Sequence, residues 1–589
     1  MKKQFTMSKL MRNSFPSSPI EAWETLSKKA LQTDTLEDLQ TKTYENIILS
    51  PLYTSKDRGL NEAQVPPGLA PFIRGVKDSS VLSRPWKITQ WITSSPSGPE
   101  EIKKLEVKGQ DVIAFQTDSF SEDELEKWKE TIAHFPFKEV FIELGVQEHD
   151  WLIKHDFLQS CKGFIGYDPI KAMIDLESSP DGLTSYYSIL SQALKHSSFE
   201  QKNILIDNTV FHNSGADIVT ELACVLGVAA EHVDRLEKGE IPADLILAKM
   251  LVRIGVGGSF FLEVAKIRAL RYLWYKFTSA YDGISITSQK IRIAAETSLV
   301  TKTIYDEYVN VLRSGNEAFA AITAGVDYLT IAPYDICLQE KKELADRIAR
   351  NTHHLLAEES YMTRVLDPAG GSWYVESLTK ELIEKGWELF TEIEDRGGIL
   401  TCIETGWLQN RIKNTRETKI KAVKARKLEI VGTNMYVDGN DRKPYETLTL
   451  TGTRLGFPAF RLSEAFERWR LYFDRHPVKV AIIGLGKVKE YKSRRDLARN
   501  WFASVGIGTD FFPGVDSFSK TIEKYQAVCI CGTDESYETW DIEYGEIAKK
   551  FPIFAVGRPT KTDSSIAWLY PELDAEPIVA NWAAEGEVL

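Results

Sequence analysis

The sequence has 589 residues, a length that predicts about three structural units at roughly 100–200 residues per domain. A hydrophobic content of 43% and a charged content of 26% are typical of globular proteins, which excludes a mostly disordered or fibrous chain. The net charge of −12 offers no electrostatic reason to bind nucleic acid or an anionic membrane. We therefore expect small molecules or other proteins as partners.

The six cysteines follow no repeating spacing, which is typical of reduced thiols and not of a disulfide framework. No run approaches the roughly 18 apolar residues that a membrane-spanning helix needs. The basic start of the sequence lacks the apolar stretch of a secretory signal. These features predict a cytoplasmic protein.

Residues 1–45 lack a strand pattern and are predicted to form a helical arm. In residues 46–410, strand-like runs alternate with amphipathic helical runs such as 121–134 and 259–274. The strand-like runs are residues 112–115, 140–144, 164–166, 204–206, 284–286 and 328–331. This alternation predicts an α/β fold with a parallel sheet and crossover helices.

Residues 411–476 are polar and contain glycine and proline, so they are predicted to connect two domains. A doubly wound, flavodoxin-like domain is predicted for residues 477–589, from the buried strand VKVAIIGLG, a helix at 493–504 and strands at 527–531 and 553–556. The glycines of VKVAIIGLG suggest a dinucleotide site, but Lys489 stands where the third glycine of that motif is needed. A Rossmann cofactor site is therefore not expected.

Four acidic residues lie at or just beyond the carboxyl ends of predicted strands, namely Asp118, Glu143, Asp168 and Asp207. In a parallel barrel they would point toward one mouth, where paired carboxylates can act as acid and base. The more common interpretation is that such residues cap helices or close turns. The nine histidines form no metal-ligand spacing, so no metal site is predicted.

Several segments resemble the methylmalonyl-CoA mutase family, in the right order and over nearly the whole length. Residues 347–376 are similar to the family's RxARNTQ, EES and DPxGGS block, and Arg84-Pro85-Trp86, HNSGADIVTEL (212–222) and residues 257–274 also match. The resemblance implies an N-terminal (β/α)8 TIM barrel that threads acyl-CoA along its axis. It also implies that the C-terminal flavodoxin-like domain is of the type that holds adenosylcobalamin.

The C-terminal domain departs from the family pattern at its cofactor loop. Catalytic members carry DxHxxG there, whose histidine binds cobalt, whereas this chain aligns Lys489, Tyr491 and Arg494 to those three positions. Arg558 stands where a second glycine lets the backbone approach the cofactor tail. The resemblance therefore implies that this chain binds no cofactor and that adenosylcobalamin resides in a partner.

The barrel departs in the same direction. Val210 and Ala294 align to family histidines and Trp91 to a family tyrosine, so the resemblance implies an apolar plug in place of a polar cage and no catalytic residues. His212 could restore the lost group, since it would face the same way as Val210 if the preceding strand continues, or it is a satisfied polar histidine. Arg84 matches a CoA-contacting arginine and could retain that contact.

The resemblance, together with these departures from it, implies a non-catalytic small subunit of a heterodimeric mutase, whose large subunit would interconvert (R)-methylmalonyl-CoA and succinyl-CoA. The arm could wrap the large subunit with its apolar side chains or fold back on its own barrel; these are Ile20, Trp23, Leu26, Leu31 and Leu39. Three alternatives remain: an active cobalamin mutase with unusual ligands, a TIM-barrel hydrolase using Glu143 and Asp207, and a transient scaffolding protein.

Overall fold

A computed structural model describes most of the chain. It covers residues 19–57, 59–60, 65–77, 86–93, 99–133, 139–145, 148–154, 161–196, 200–443, 455–514, 522–537, 549–558, 566–580 and 582. The chain divides into two units, residues 1–58 and 59–589. Arg84, the predicted CoA contact, lies outside the described residues.

The first unit contains helix α1 (Ile20–Leu31), a 3-10 turn (Glu37–Leu39) and a short antiparallel pair, β1 (Thr41–Lys42) and β2 (Ile48–Leu49). Glu21 in the first turn of α1 and lysines in its last turn complement the helix dipole. No residue of α1 is buried, and Leu26 is 69% exposed. The helix predicted for the arm is therefore present, with Leu26 and Leu31 exposed and Ile20 and Trp23 half-buried.

The second unit begins with an eight-stranded parallel sheet whose spatial order is β3-β10-β9-β8-β7-β6-β5-β4. A parallel bridge between Trp91 and Ala114 joins the β3 edge to the β4 edge, so the sheet curls as in a TIM barrel. The strands are β3 (Lys87–Ile88), β4 (Ile113–Gln116), β5 (Glu139–Glu143), β6 (Lys162–Tyr167), β7 (Gln201–Asp207), β8 (Met250–Val256), β9 (Ile293–Thr297) and β10 (Tyr328–Thr330). The TIM-barrel-like architecture expected from the sequence is confirmed.

Helices connect and flank these strands. They are α2 (Pro99–Val107), α3 (Glu122–Ala133), α4 (Trp151–Lys154), α5 (Pro169–Asp175), α6 (Leu183–Leu194), α7 (Thr209–Asn213), α8 (Ile218–Glu237), α9 (Ala243–Ala248), α10 (Phe260–Thr278), α11 (Ile286–Gln289), α12 (Val309–Ala324), α13 (Glu343–His354), α14 (Trp373–Asp395) and α15 (Gly398–Glu404). The predicted helices 121–134 and 259–274 are confirmed as α3 and α10. No described helix is long and apolar enough to cross a membrane.

The strand predicted at 284–286 is wrong, and three strands of this sheet, β3, β8 and β9, were not predicted. Ile286 instead begins α11, because the Asp244 carboxylate accepts hydrogen bonds from the Ser285 N–H and Oγ, each at 2.8 Å. Strand β8 carries a buried arginine, Arg253, and β9 is short and rich in alanine, which has a low β propensity. The five other predicted strands are confirmed as β4 to β7 and β10.

Two helices, α16 (Trp407–Lys424) and α17 (Glu464–Arg475), run through much of the segment expected to be a connection. Beyond them lies a second parallel sheet, with order β12-β11-β13-β14-β15, as the sequence predicted. Its elements are β11 (Lys479–Gly484), α18 (Val488–Ser504), β12 (Gly508–Phe512), β13 (Ala527–Cys531), β14 (Ile553–Val556), β15 (Ile566–Leu569) and α19 (Glu576–Ala580). Separate apolar clusters cover its two faces.

Candidate functional site

Aromatic side chains fill the interior of the eight-stranded sheet at mid-height. Phe141 lies 4.9 Å from Phe164 and 5.6 Å from Tyr328 between ring centroids, and Trp91 packs edge-on against Phe141 at 5.7 Å. Ala294 belongs to the same cluster, with Leu205 and Leu251 beside it at 0% exposure. We call this set the aromatic layer. It closes the axis of the sheet at this level with packed side chains.

A charged layer lies above it, toward the carboxyl ends of the strands. Side chains of one strand alternate in direction, so Glu143, Asp207, Arg253 and Glu296, each two residues after a member of the aromatic layer, also face inward. The Arg253 guanidinium donates to both Glu143 carboxylate oxygens, at 2.7 and 3.1 Å. It also donates to both oxygens of Asp207. One arginine is thus held by two carboxylates.

The electrostatics of this layer follow from burial and pairing. Burial opposes ionisation of Glu143, but attraction to Arg253 and Lys171 outweighs it and holds the Glu143 pKa well below its usual range. The pKa of Arg253 is raised well above its usual value, since its carboxylate neighbours outweigh burial. Burial raises the pKa of Glu296, whose Oε1 accepts from Trp91 Nε1 at 3.2 Å.

Glu143 and Asp207 therefore meet, but as counterions of Arg253. A general acid at neutral pH needs a raised pKa, and the shift of Glu143 has the opposite sign. Asp168 caps α5, accepting hydrogen bonds from Ile170 N at 2.8 Å and Lys171 N at 3.1 Å. Asp207 accepts from Thr209 N and so closes the turn after β7. Asp118 lies in a 3-10 turn after β4. These positions agree with the turn-forming interpretation.

His212 does not share the direction of Val210, which the sequence analysis made conditional on continuation of the strand. Strand β7 ends at Asp207, and Thr209–Asn213 form helix α7, because Asp207 Oδ1 accepts from both Thr209 N and Thr209 Oγ1. Two residues on a helix are about 200° apart, so His212 and Val210 point in different directions. His212 is 8% exposed, and both ring nitrogens have hydrogen-bond partners. Val210 lies outside the aromatic layer, whereas Trp91 and Ala294 belong to it.

The partners of His212 were not predicted as site residues. Its Nδ1 lies 2.9 Å from Glu221 Oε1 on α8, and its Nε2 lies 2.7 Å from Ser298 Oγ, directly after β9. Lys266 on α10 binds the other Glu221 oxygen at 3.0 Å. Glu221 and Ser298 stand in segments that match the family, but nothing in their spacing predicts that strands β7 and β9 bring them together.

At the amino-terminal ends of the strands lies a cavity of about 460 Å³, here called the basic cup. Its lining includes five cations, Lys77, Lys87, Lys202, Lys290 and Arg292, against three carboxylates. Burial and the nearby charges of Arg292 and Lys249 lower the pKa of Lys202 to about 7. Tyr328 also lines the cup, so the aromatic layer forms part of its floor.

The residues aligned to the family's cofactor loop lie on helix α18, which begins at Val488, five residues before the predicted start. Lys489 is exposed, whereas Tyr491 is 5% exposed and packs so closely on Gly484 that a Cβ there would lie 2.9 Å from its ring. Early helix formation therefore turns Tyr491 into the apolar core of the domain.

Arg494 spans the carboxyl edge of the second sheet. It donates to the Gly532 carbonyl at 2.6 Å and to Asp534 Oδ1 at 2.5 Å, and its guanidinium lies 5.2 Å from the Tyr537 ring centre. A Cβ on Gly557 would lie 3.7 Å from Arg494 Cζ, so the side chain also reaches the end of β14. Arg558 is exposed. In doubly wound folds this edge is where ligands bind, and here Arg494 occupies it.

Known proteins resemble this chain in sequence. The methylmalonyl-CoA mutase family model matches residues 42–119 and 155–458. The methylmalonyl-CoA mutase small subunit of Porphyromonas gingivalis is 29% identical over 64% of this chain, and the match spans 63% of that relative. The small subunits of Streptomyces virginiae and Propionibacterium freudenreichii subsp. shermanii are each 26% identical, over 89% and 92% of this chain and 89% and 88% of their own lengths.

The family match covers more than half of the chain and includes His212 with its partners. It also includes both barrel layers except for Phe141 and Glu143, which lie between the two matched segments. Most strands of the TIM-barrel-like sheet lie within the matched residues, in agreement with the resemblance noted from the sequence. The chain belongs to the methylmalonyl-CoA mutase family.

Proposed function

We propose that this chain is the non-catalytic small subunit of a heterodimeric methylmalonyl-CoA mutase. The observation that carries the proposal is the filled axis of the barrel, in which the aromatic layer and the charged layer lie one above the other. An acyl-CoA threaded along that axis would have to displace both layers. The complete (β/α)8 barrel implied by the family thus serves here as a packed support for a partner.

The charged layer resists displacement more than an apolar plug of the predicted kind would. Arg253, Glu143 and Asp207 are at most 7% exposed. Breaking a buried ion pair by removing one partner costs about 3–5 kcal/mol, because the remaining charge stays buried without compensation. A substrate that separated Arg253 from its carboxylates would have to supply equivalent contacts. Opening the axis is therefore energetically unfavourable.

The C-terminal domain supports the same proposal. Its strand order is the 2-1-3-4-5 order of flavodoxin-like domains, which is the class of domain that the family uses for adenosylcobalamin. The residues present do not fit that cofactor, because the Tyr491 phenol is turned into the core and Arg494 fills the edge where the cofactor tail would pass. We assign adenosylcobalamin to the partner chain and no cofactor to this one.

The names of the relatives favour a partner. Three of them are small subunits, a term that implies a larger chain, and we propose that this larger chain carries all the chemistry of interconverting (R)-methylmalonyl-CoA and succinyl-CoA. The exposed leucines of α1 favour the first unit as part of the contact surface. Six buried free cysteines favour a reducing, cytoplasmic location.

Native mass spectrometry of the tagged chain, purified from its own cells, tests the proposal because one spectrum gives partner mass and cofactor count. We expect a one-to-one complex with a larger chain and a single cobalamin that stays with that chain on dissociation. An Arg558→Ala variant is the matched control, since this exposed side chain should affect neither value.

Two results would contradict the proposal. A homo-oligomer with one cobalamin per chain would favour an active mutase with unusual ligands. A homo-oligomer without cobalamin would instead favour an independent activity or a scaffolding role.

A further inference from the structure

The contacts of His212 have the geometry of a serine nucleophile with its base. Ser298 Oγ lies 2.7 Å from His212 Nε2, and His212 Nδ1 lies 2.9 Å from Glu221 Oε1. Both distances fall within the range in which nucleophile, base and orienting carboxylate act together. The three residues come from the loop after β9, helix α7 and helix α8, at the carboxyl ends of the strands, where TIM-barrel active sites lie.

Protonation of the set is fixed by charge. Burial opposes ionisation of Glu221, but the charge of Lys266 and the hydrogen bonds from His212 and Lys266 outweigh it and lower the Glu221 pKa to about 2. An ionised Glu221 can only accept, so His212 Nδ1 carries the proton and Nε2 is left to accept from the Ser298 hydroxyl. That is the tautomer a general base requires.

The surrounding backbone leaves room for the imidazole. A Cβ on Gly255 would lie 2.3 Å from His212 Cδ2, so a side chain at this position of β8 would clash with the ring. Val300 N donates to Ser298 Oγ at 3.1 Å, which fixes the hydroxyl from the other side. The position of the ring therefore depends on a glycine, and the position of the hydroxyl depends on a backbone amide.

A strap of residues 457–462 lies over this set. Phe460 N donates to the Asn213 carbonyl at 3.0 Å and Leu462 N to the Val300 carbonyl at 2.9 Å, next to His212 and close to Ser298. Phe457 packs edge-on against Phe211 with centroids 5.4 Å apart. Ser298 is 2% exposed, so a molecule can reach it only after local opening of its surroundings, and burial favours a small uncharged one.

We propose that Ser298 and His212 form a second site in this chain, an esterase-type site for small uncharged carboxylic esters, with Glu221 as a positioning residue. The Ser298 oxygen attacks the ester carbonyl carbon while its proton passes to His212 Nε2. The bond to the alcohol oxygen breaks as His212 returns that proton to it. Water then cleaves the acyl-serine, giving the carboxylic acid and restoring the Ser298 hydroxyl.

Labelling of the full-length chain with diisopropyl fluorophosphate tests the site, with the adduct located by peptide mass spectrometry. The serine oxygen displaces fluoride in this reaction and stays phosphorylated. We expect one adduct, on Ser298, that is lost in Ser298→Ala and forms at least about 100-fold more slowly in His212→Gln, as for loss of a general base. Ser288 is an internal control, since it is equally buried but donates to Asp244 and contacts no histidine.

Two further variants separate chemistry from folding. Phe457→Ala should speed labelling of Ser298 by loosening the strap. Glu221→Gln should slow the labelling of Ser298 per folded molecule, with the folded fraction measured in parallel by circular dichroism. If Glu221 had only a structural role, the variant would lower the melting temperature and leave that labelling rate unchanged. Absence of an adduct on Ser298 in both the unsubstituted chain and Phe457→Ala, or a labelling rate independent of His212, would overturn the proposal.

Discussion

The two ends of the eight-stranded sheet handle charge in opposite ways. At the carboxyl end, Arg253 is buried and matched by Glu143 and Asp207, and the axis is closed. At the amino end, the cations of the basic cup outnumber its carboxylates, and a cavity remains. Compensated charges pack as a solid layer, whereas an excess of one sign repels itself and stays where water or an anion can reach it.

The difference in pKa shifts expresses the same contrast. Attraction to its carboxylates raises the pKa of Arg253 despite burial. Burial and neighbouring cations lower the pKa of Lys202 in the basic cup. Perturbed groups cluster at functional sites in many proteins, but here the more strongly buried set is a plug. The two ends therefore differ in whether their buried cations are paired with carboxylates, more than in how deeply those cations are buried.

The largest effect is expected from breaking the matched end. Arg253→Met should lower the free energy of unfolding by about 3–5 kcal/mol at pH 7, because Glu143 and Asp207 would be left buried without a countercharge. The Glu143 pKa is depressed in the folded protein, so its contribution is present above the ordinary glutamate pKa and is lost as the pH falls. The deficit should therefore shrink toward acid pH.

Urea unfolding at several pH values measures this deficit. Lys413→Met, at an exposed i,i+4 ion pair with Glu417, is the control and should change stability by less than about 1 kcal/mol. A loss in Arg253→Met below 1 kcal/mol at pH 7 would mean that the charged layer is not held by pairing.

At the amino end of the sheet, removing a charge is expected to stabilise the protein. Lys202→Met should raise the free energy of unfolding by about 1–2 kcal/mol near pH 6, because it removes a buried cation among like charges. The folded pKa of Lys202, about 7, lies below the ordinary value of 10.5, so the unfolded chain binds more protons between these values. The stability of the unsubstituted protein should rise over that interval, and the advantage of the variant should fall.

Thermal unfolding between pH 6 and 10 follows that change. Lys290→Met also removes a cation from the basic cup, but from a side chain over the Phe72 ring, and serves as the comparison. A Lys202→Met variant that is less stable at pH 6 would show that the lysine is adequately compensated there.

The smallest effect is expected from removing the Tyr328 hydroxyl, which lies where the two ends meet. The Tyr328 hydroxyl donates to Glu139 Oε1 at 2.5 Å, and Arg292 donates to it at 3.3 Å, while the ring belongs to the aromatic layer. Tyr328→Phe keeps the ring and should cost about 1–2 kcal/mol, measured by urea unfolding. Tyr328→Ala should cost about 3–5 kcal/mol because it empties the layer. If the two variants lost the same free energy of unfolding, the contribution of Tyr328 would come from its hydroxyl and not from packing of its ring.

The sequence by itself determined the α/β class, the parallel architecture of both sheets and the family. Buried strands such as β13 and β14 are continuous apolar runs, and apolar residues of α10 recur every three or four positions, so the pattern of apolar residues reveals them without tertiary knowledge. The alignment of Val210 and Ala294 to histidines of the family is likewise a prediction from the residues alone.

Only the tertiary structure decided which side chains meet inside the barrel. Strand β8 was missed because Arg253 interrupts its apolar run, and only Glu143 and Asp207 on other strands make that residue tolerable in a core. The contacts of His212 were missed because the Asp207 turn ends β7 early and brings the ring to Ser298, 86 positions later in the sequence. Such contacts depend on the register between strands. A local sequence pattern therefore cannot show which charged residues from distant strands meet inside the closed sheet.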